Sequence, residues 1–406
     1  MPHCVCLMSV EHLDVAIRDL DVGEPLPCDI LDASGIVLLR QGLILSREVV
    51  DGWTRRGFAR VLLRNPEQVE ADAGSLDPEE ARLTLPYDPE AVKALDQCFE
   101  RAKQAVDRVI FQLSARDDAD TSLLQSVSQS YLRAIQDDIG VVLQNAASQT
   151  VDANNAPNNA LATRSIQMAM LGAVTAATLG LSSEDCHAIS MAGLLHDISL
   201  FENTLTTLLS EHSTSDERRG VAFQHSLHSA ELLRGCPGVT DLVRVVITQV
   251  HEQVDGQGFP RGLLGHHLNQ LSRILNIVDA YLTLIDPAHP SQAAYVPSDA
   301  IAYLVSQTSR GAFDRECMKA FLTALSIYSV GSKVQLTDSR VATVLRSSRT
   351  DPLRPIIRID GSSSATIIDL RRSKLNVMRP VLDPAFPHRR RLPKDQMDVV
   401  LWKPAY

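Results

Sequence analysis

The dipeptide His196-Asp197 closes an apolar helical run, Met191 to Leu195, and sets an imidazole beside a carboxylate. Groups paired in this way can hold one divalent ion and let the carboxylate bridge to a second. Taken alone, the pair is also a common structural feature of helix ends. The rest of the chain adds to it. His225 sits on the next amphipathic run, and His251 opens the stretch His251-Glu252-Gln253-Val254-Asp255-Gly256-Gln257-Gly258-Phe259-Pro260-Arg261-Gly262-Leu263. Asp279 interrupts the otherwise apolar run that begins at Leu271. Imidazole and carboxylate together suit iron, manganese or zinc in a hydrolytic centre.

The elements that must position these groups are helical. Asp88 followed by Pro89 reads as a helix start, and Val92, Leu95, Phe99, Val106, Val109 and Leu113 continue at helical spacing. Helical patterns continue over 122–145, 161–179, 183–195 and 217–233, with Ser182-Ser183-Glu184-Asp185 carrying capping-box spacing. The expected fold is mainly α, a helical bundle flanked by a small N-terminal α/β-type module and a small C-terminal β-barrel-like module. In boundaries, this is a β-rich module at 8–66, a linker at 67–87, a helical lead-in at 88–150, the bundle at 151–328, a β module at 329–385 and a polar tail at 386–406. In the first module, 25–30 and 36–39 flank the turn Asp32-Ala33-Ser34-Gly35, Ser46 to Gly57 brackets a short helix with Val49, Val50 and Trp53, and 60–63 returns as a strand. In the last module, strands are expected at 333–336, 341–345, 355–359 and 366–370.

The stretch from His251 to Leu263 resembles the signature loop of the HD-GYP family, which usually reads H-H-E-x-x-D-G-x-G-Y-P-x-G-L. His196-Asp197, His225 and Asp279 stand in that family's order, and the likeness runs over roughly residues 155–325. The resemblance implies a bundle that holds metal ions, usually iron or manganese, and hydrolyses cyclic di-GMP. It matches His196, Asp197, His225, His251 and Asp279 to metal ligands, with Asp197 the bridging carboxylate. It matches Gly256, Gly258, Phe259 and Pro260 to the loop shaping the substrate mouth, with phenylalanine where the family has tyrosine. Implied partners are cyclic di-GMP or a related nucleotide, and a protein partner.

The departures are as informative. Arg164 stands where the family usually has a histidine, Ala160 where some members have an acid, and Val250 where the first of two paired histidines is expected. The usual HD-x-G-K ending is replaced at Ser199-Leu200, and the basic segment after the last aspartate by Ala288-His289-Pro290-Ser291. A guanidinium stays protonated and cannot ligate a cation. Arg164 therefore either pairs with Asp197 or Asp279 in the metal's space, or points to solvent. Weak or absent catalysis follows from this set, against an active phosphodiesterase with a reduced dinuclear site and a cofactor that is a divalent metal or none. His228, one turn after His225, reads as a partly exposed histidine that could lend a ligand, His266-His267 as a surface turn, and Arg261 as a solvated charge that could meet a phosphate at the loop mouth.

Composition bounds the alternatives. The 406 residues include 45% hydrophobic and 22% charged side chains with a net charge of −10, a globular chain whose field disfavours nucleic-acid polymers and anionic membranes. The seven cysteines are scattered, consistent with a reducing compartment, and no apolar run reaches signal or membrane-span length. A cytoplasmic protein is expected, and the apolar stripe of the long helix from Pro89 offers a seam for a homodimer.

Overall fold

The computed structural model describes residues 12–23, 26, 30–31, 37–39, 45, 47–55, 59–64, 88–115, 119–149, 157–201, 215–286, 293–348, 351–361, 366–393 and 396. The chain divides into two compact units, residues 1–85 and 86–406. The expected turn at 32–35, the cap at Ser46, the stop at Gly57 and the linker at 67–87 lie outside the described residues.

The first unit is an antiparallel sheet with one helix. Its elements are β1 (His12–Ala16), β2 (Ile30–Leu31), β3 (Val37–Leu39), α1 (Arg47–Arg55) and β4 (Arg60–Arg64), with strand order β1-β4-β2-β3. Val50 and Trp53 turn inward from α1 onto Ile30 and Val61, which is why the short helix and the strands share one core. β1 has no counterpart among the expected strands. It is held along its whole length by β4, a partner more than 40 residues away that no local pattern announces.

The second unit begins at the expected cap. Asp88 accepts from the Glu90 amide at 3.0 Å and Pro89 takes the first helical position. Nine helices follow among the described residues: α2 (Pro89–Ser114), α3 (Ser122–Ser148), α4 (Pro157–Thr178), α5 (Ser183–Leu195), α6 (Ser215–Leu232), α7 (Asp241–Gln249), α8 (Gln270–Ile285), α9 (Pro297–Ser309) and α10 (Arg315–Leu325). α4 and α8 are buried on nearly every face, and they form the centre of the unit. Truncating one of their large apolar residues, such as Ile274 to alanine, removes contacts worth about 2–5 kcal/mol. α4 and α5 pack backbone to backbone because Gly193 has no side chain; a Cβ there would stand 2.6 Å from the Ala169 amide nitrogen.

The stripe expected to serve a second copy is used inside the chain. Leu95, Phe99, Val106 and Val109 are all buried in the same core as Leu124 and Tyr131 of α3, so that face of α2 is not left for a homodimer. No helix of the described residues is long and apolar enough to cross a membrane.

The C-terminal strands β6 (Lys333–Leu336), β7 (Val341–Arg346), β8 (Ile356–Ile359) and β9 (Ile367–Asp369) lie close to their expected positions, and β10 (Val377–Pro380) is a further strand that was not expected. They form an open sheet in the order β10-β6-β7-β8-β9 rather than the barrel-like closure expected. β9 and β10 lie at opposite edges, and three-residue β9 offers too few ladder groups to reach around and close it. The sheet belongs to the same compact unit as the bundle. Arg346 of β7 donates from Nη1 to both carboxylate oxygens of Asp138, each at 2.9 Å, where α3 breaks its helical geometry.

The tail was expected to carry little pattern, and the structure corrects this up to Leu392. β11 (Arg389–Arg390) pairs in parallel with β5 (Ala294–Tyr295). Arg389 reaches Asp286 at 3.0 Å and Arg391 reaches Asp299 at 2.7 Å, ion pairs across about 90 to 100 residues of chain.

Candidate metal centre

Four elements bring the candidate groups together. His196 caps the C-terminus of α5 and Asp197 follows it; both are buried completely or nearly so. His225 comes from α6, His251 from the turn just after α7, and Asp279 from the middle of α8. All five sequence-expected ligands meet in one buried cluster.

The contacts within it are short but oddly directed. Asp197 Oδ2 lies 3.1 Å from His196 Nε2, and Asp197 Oδ1 lies 3.2 Å from His225 Nε2. His225 Nε2 and His251 Nε2 are 2.8 Å apart, and His251 Nδ1 is 3.2 Å from Asp279 Oδ2. Despite these distances, His196 Nε2, Asp197 Oδ1 and His251 Nδ1 are buried without a hydrogen-bond partner. An orphaned buried polar atom costs about 1–3 kcal/mol, so the two beside Asp197, His196 Nε2 and Asp197 Oδ1, call for a partner.

The tautomer of His196 points the same way. Its Nδ1 stands 2.9 Å from the Gly193 carbonyl, which requires a proton on that nitrogen. The Nε2 lone pair then faces Asp197 directly, an arrangement that needs a cation or a proton between them. Ligand atoms of Asp197, His225 and His251 all lie within 4.8 Å of one another. Two imidazoles and a carboxylate with lone pairs converging are a donor set for one divalent transition ion.

Electrostatics set the charge states. Burial alone would push the Asp197 carboxyl up, yet His196 and His225 hold it well below the usual carboxylate range. Burial works against a charged His196, and the Asp197 carboxylate overcomes it and raises that imidazole. For His251, burial prevails and lowers it. Asp279 is also held low against burial, first by Arg164 and then by His251.

Arg164 resolves one of the alternatives left open by the sequence. It is buried, with its side chain 6% exposed, and Nη2 donates to Asp279 Oδ1 at 2.6 Å, to the Asp279 carbonyl at 3.0 Å and to the Thr283 hydroxyl. Its partner is Asp279, and the solvent-facing alternative is excluded. Ala160 and Val250 are buried apolar positions in the same region.

The loop from His251 to Leu263 is folded onto the cluster. Phe259 is buried, and its ring stacks on His251 with centroids 4.8 Å apart at 12°, while the Phe223 edge meets it at 4.8 Å. The ring expected to help shape the substrate mouth thus covers a candidate ligand. Gly258 is required by a close approach: a Cβ would stand 2.2 Å from the Gln253 amide nitrogen. Gly256 and Pro260 are half-buried on the same loop.

Sequence reasoning missed the residue that ties this loop. Glu252 is buried, and its two carboxylate oxygens accept from the Arg261 amide at 2.7 Å and the Leu263 amide at 2.9 Å. Ser199 was noted only as part of the replaced HD-x-G-K ending, where it stands at the glycine. It donates to the His225 carbonyl at 2.9 Å and accepts from Ser229 at 3.0 Å, fixing α6 where His225 leaves it. A buried acid inside a glycine-rich loop is the signal that could have marked Glu252.

A groove opens beside His225. It is lined by Ser199, His228, Arg234, Arg244 and Arg261 among others. Arg234 is paired with Glu231, and Arg244 with Asp241, each on its own helix or turn. His228 and Arg261 are exposed, and His228 contributes no atom to the buried ligand group. His266 and His267 lie in an exposed turn, as expected.

Comparison with known proteins adds the following. Residues 143–317 match the HD domain family. The chain is 30% identical over 193 residues to a cyclic di-GMP phosphodiesterase of Pseudomonas aeruginosa, covering 48% of this chain and 44% of that protein. It is 32% identical over 157 residues to the cyclic di-GMP phosphodiesterase response regulator RpfG of Xanthomonas campestris, covering 38% and 41%. A 3'3'-cGAMP-specific phosphodiesterase of Vibrio cholerae is 26% identical over 248 residues, covering 61% and 51%. The chain thus spans less than half the length of the first two relatives.

Proposed function

We propose that this chain, whose residues 143–317 match the HD domain family and which is similar to cyclic di-GMP phosphodiesterases, is an HD-GYP-type cyclic di-GMP signalling protein with weak or no turnover. The observation that carries this reading is the uneven state of the cluster. Two buried donor atoms beside Asp197, His196 Nε2 and Asp197 Oδ1, have no hydrogen-bond partner, while the second carboxylate, Asp279, is already engaged by Arg164.

A divalent ion bound there, iron or manganese as the family resemblance implies, would supply a Lewis acid and an acidified water. The protein's own groups do the rest. Gly193 holds His196 in the tautomer that presents Nε2. Ser199 fixes the backbone of His225. Phe259 and Phe223 keep water from His251. In the groove, His228 and Arg261 stand exposed beside His225, where a phosphodiester would meet positive charge. The basic grip on phosphate implied by the family is absent from the sequence at Leu200 and at Ala288 to Ser291, which favours binding over rapid hydrolysis. We place the protein in the cytoplasm, where this nucleotide is met, with the exposed groove also open to a protein partner.

The test is metal content by elemental analysis, nucleotide binding by calorimetry, and cyclic di-GMP turnover with manganese or ferrous iron. The expected result is a bound cation, saturable nucleotide binding and slow or undetectable hydrolysis. Fast metal-dependent hydrolysis that disappears in Asp197→Asn would replace this reading with the active phosphodiesterase. Neither cation nor nucleotide bound would remove both.

A further inference from the structure

The cluster buries two carboxylates, and their charges are balanced in different ways. Asp279 has a built-in counter-cation. The Arg164 guanidinium lies 2.6 Å from its Oδ1 and also reaches its carbonyl and Thr283, so this arginine is held at three points inside the core. Asp197 has no such partner. Among the described residues, its ion-pair contacts are two imidazoles, His196 and His225, and its Oδ1 is left without a hydrogen bond.

We propose that Arg164 is a resident cation standing in for one divalent ion, so that this cluster takes a single exchangeable ion, seated by Asp197, His225 and His251. The inference rests on reading the cluster as a metal site. A second ion at Asp279 would have to take the oxygen that Arg164 holds and sit against a charge that cannot be removed by deprotonation. Asp279 therefore changes role. With one oxygen on Arg164, its other oxygen lies 3.2 Å from His251 Nδ1, and the far nitrogen of that ring faces His225 at 2.8 Å. Asp279 becomes a positioning residue that orients a ligand imidazole, as carboxylates behind metal-bound histidines do. Asp197 becomes a ligand to one ion rather than a bridge between two.

The experiment uses the full chain, stripped with chelator, reloaded with excess manganese and desalted. Manganese per chain is measured by elemental analysis, and the electron paramagnetic resonance spectrum is recorded. The expected result is one ion per wild-type chain with the spectrum of an isolated ion, and none in Asp197→Asn. Arg164→His should raise the count to two and give a spin-coupled pair, with circular dichroism confirming an unchanged fold. Two ions in the wild type would overturn the proposal while leaving the metal-site reading intact. No ion in the wild type would sink the metal-site reading itself. An Arg164→His protein that folds and still holds one ion would show that Arg164 is not what excludes the second. The wild-type count decides the matter even if that variant does not fold.

Discussion

The two ends of the buried cluster use similar groups and reach opposite solutions. At one end, Asp279 is sealed by Arg164, a contact fixed by folding and independent of anything dissolved in the medium. At the other, Asp197 faces two imidazoles and, among the described residues, keeps an oxygen without a hydrogen-bond partner. The difference teaches that a buried acid can be stabilised either by the chain or by a ligand. The choice determines whether its neighbourhood responds to conditions. Chain-balanced charge gives stability that chelators cannot touch, whereas ligand-balanced charge makes stability depend on ion concentration.

The largest effect should come from breaking the sealed end. Arg164→Met leaves the Asp279 carboxylate buried with His251 but without its guanidinium, and should cost about 3–5 kcal/mol of stability. Urea unfolding in the presence of chelator measures this, and the double variant Arg164→Met with Asp279→Asn should recover most of the loss. If the double variant were as unstable as the sum of the singles, the two residues would not be acting as a pair.

The open end should behave in the contrary way. Manganese at about a hundred times its dissociation constant should raise wild-type stability by about 2.7 kcal/mol, and chelator should return it to the metal-free value. Asp197→Asn should abolish that response. A metal-induced rise in the melting temperature of Asp197→Asn equal to that of the wild type would place the ion elsewhere.

The covering loop should show an intermediate effect. Glu252→Gln presents an amide N–H to a backbone amide that now has a carboxylate oxygen, and should cost about 1–3 kcal/mol. Hydrogen exchange should quicken at the Arg261 and Leu263 amides in particular. The smallest effect is expected at Ser199→Ala, about 0.5–1.5 kcal/mol for the hydrogen bond to the His225 carbonyl. Its measurable consequence is weaker manganese affinity with Asp279 and Arg164 unaffected. Unchanged affinity would mean that α6 holds His225 in place without this serine.

Much of this was legible before any coordinates. The apolar runs ending in His196-Asp197 and carrying Asp279 placed those acids at or within helices, and the loop after His251 was specific enough to indicate its relatives. Local pattern also located the four strands between 333 and 369 to within a residue or two, and missed β10. It failed where a contact is made by distant partners. β1 exists through β4, the open edge of the last sheet reflects pairings rather than strand content, and the tail is ordered by Asp286 and Asp299.

By itself, the sequence determined which side chains could ligate a cation and that they would rise from helices, because residue type and helical period are local properties. The resemblance also set Arg164 where the family has a ligand histidine, with a solvent-facing side chain as the alternative. Which acid that arginine meets was decided only by tertiary structure. Arg164 and Asp279 are separated by 115 residues, and their pairing depends on how α4 packs against α8 in the core. A guanidinium buried at that position lowers its free energy by taking the nearest carboxylate, and only the packed helices establish which one is nearest.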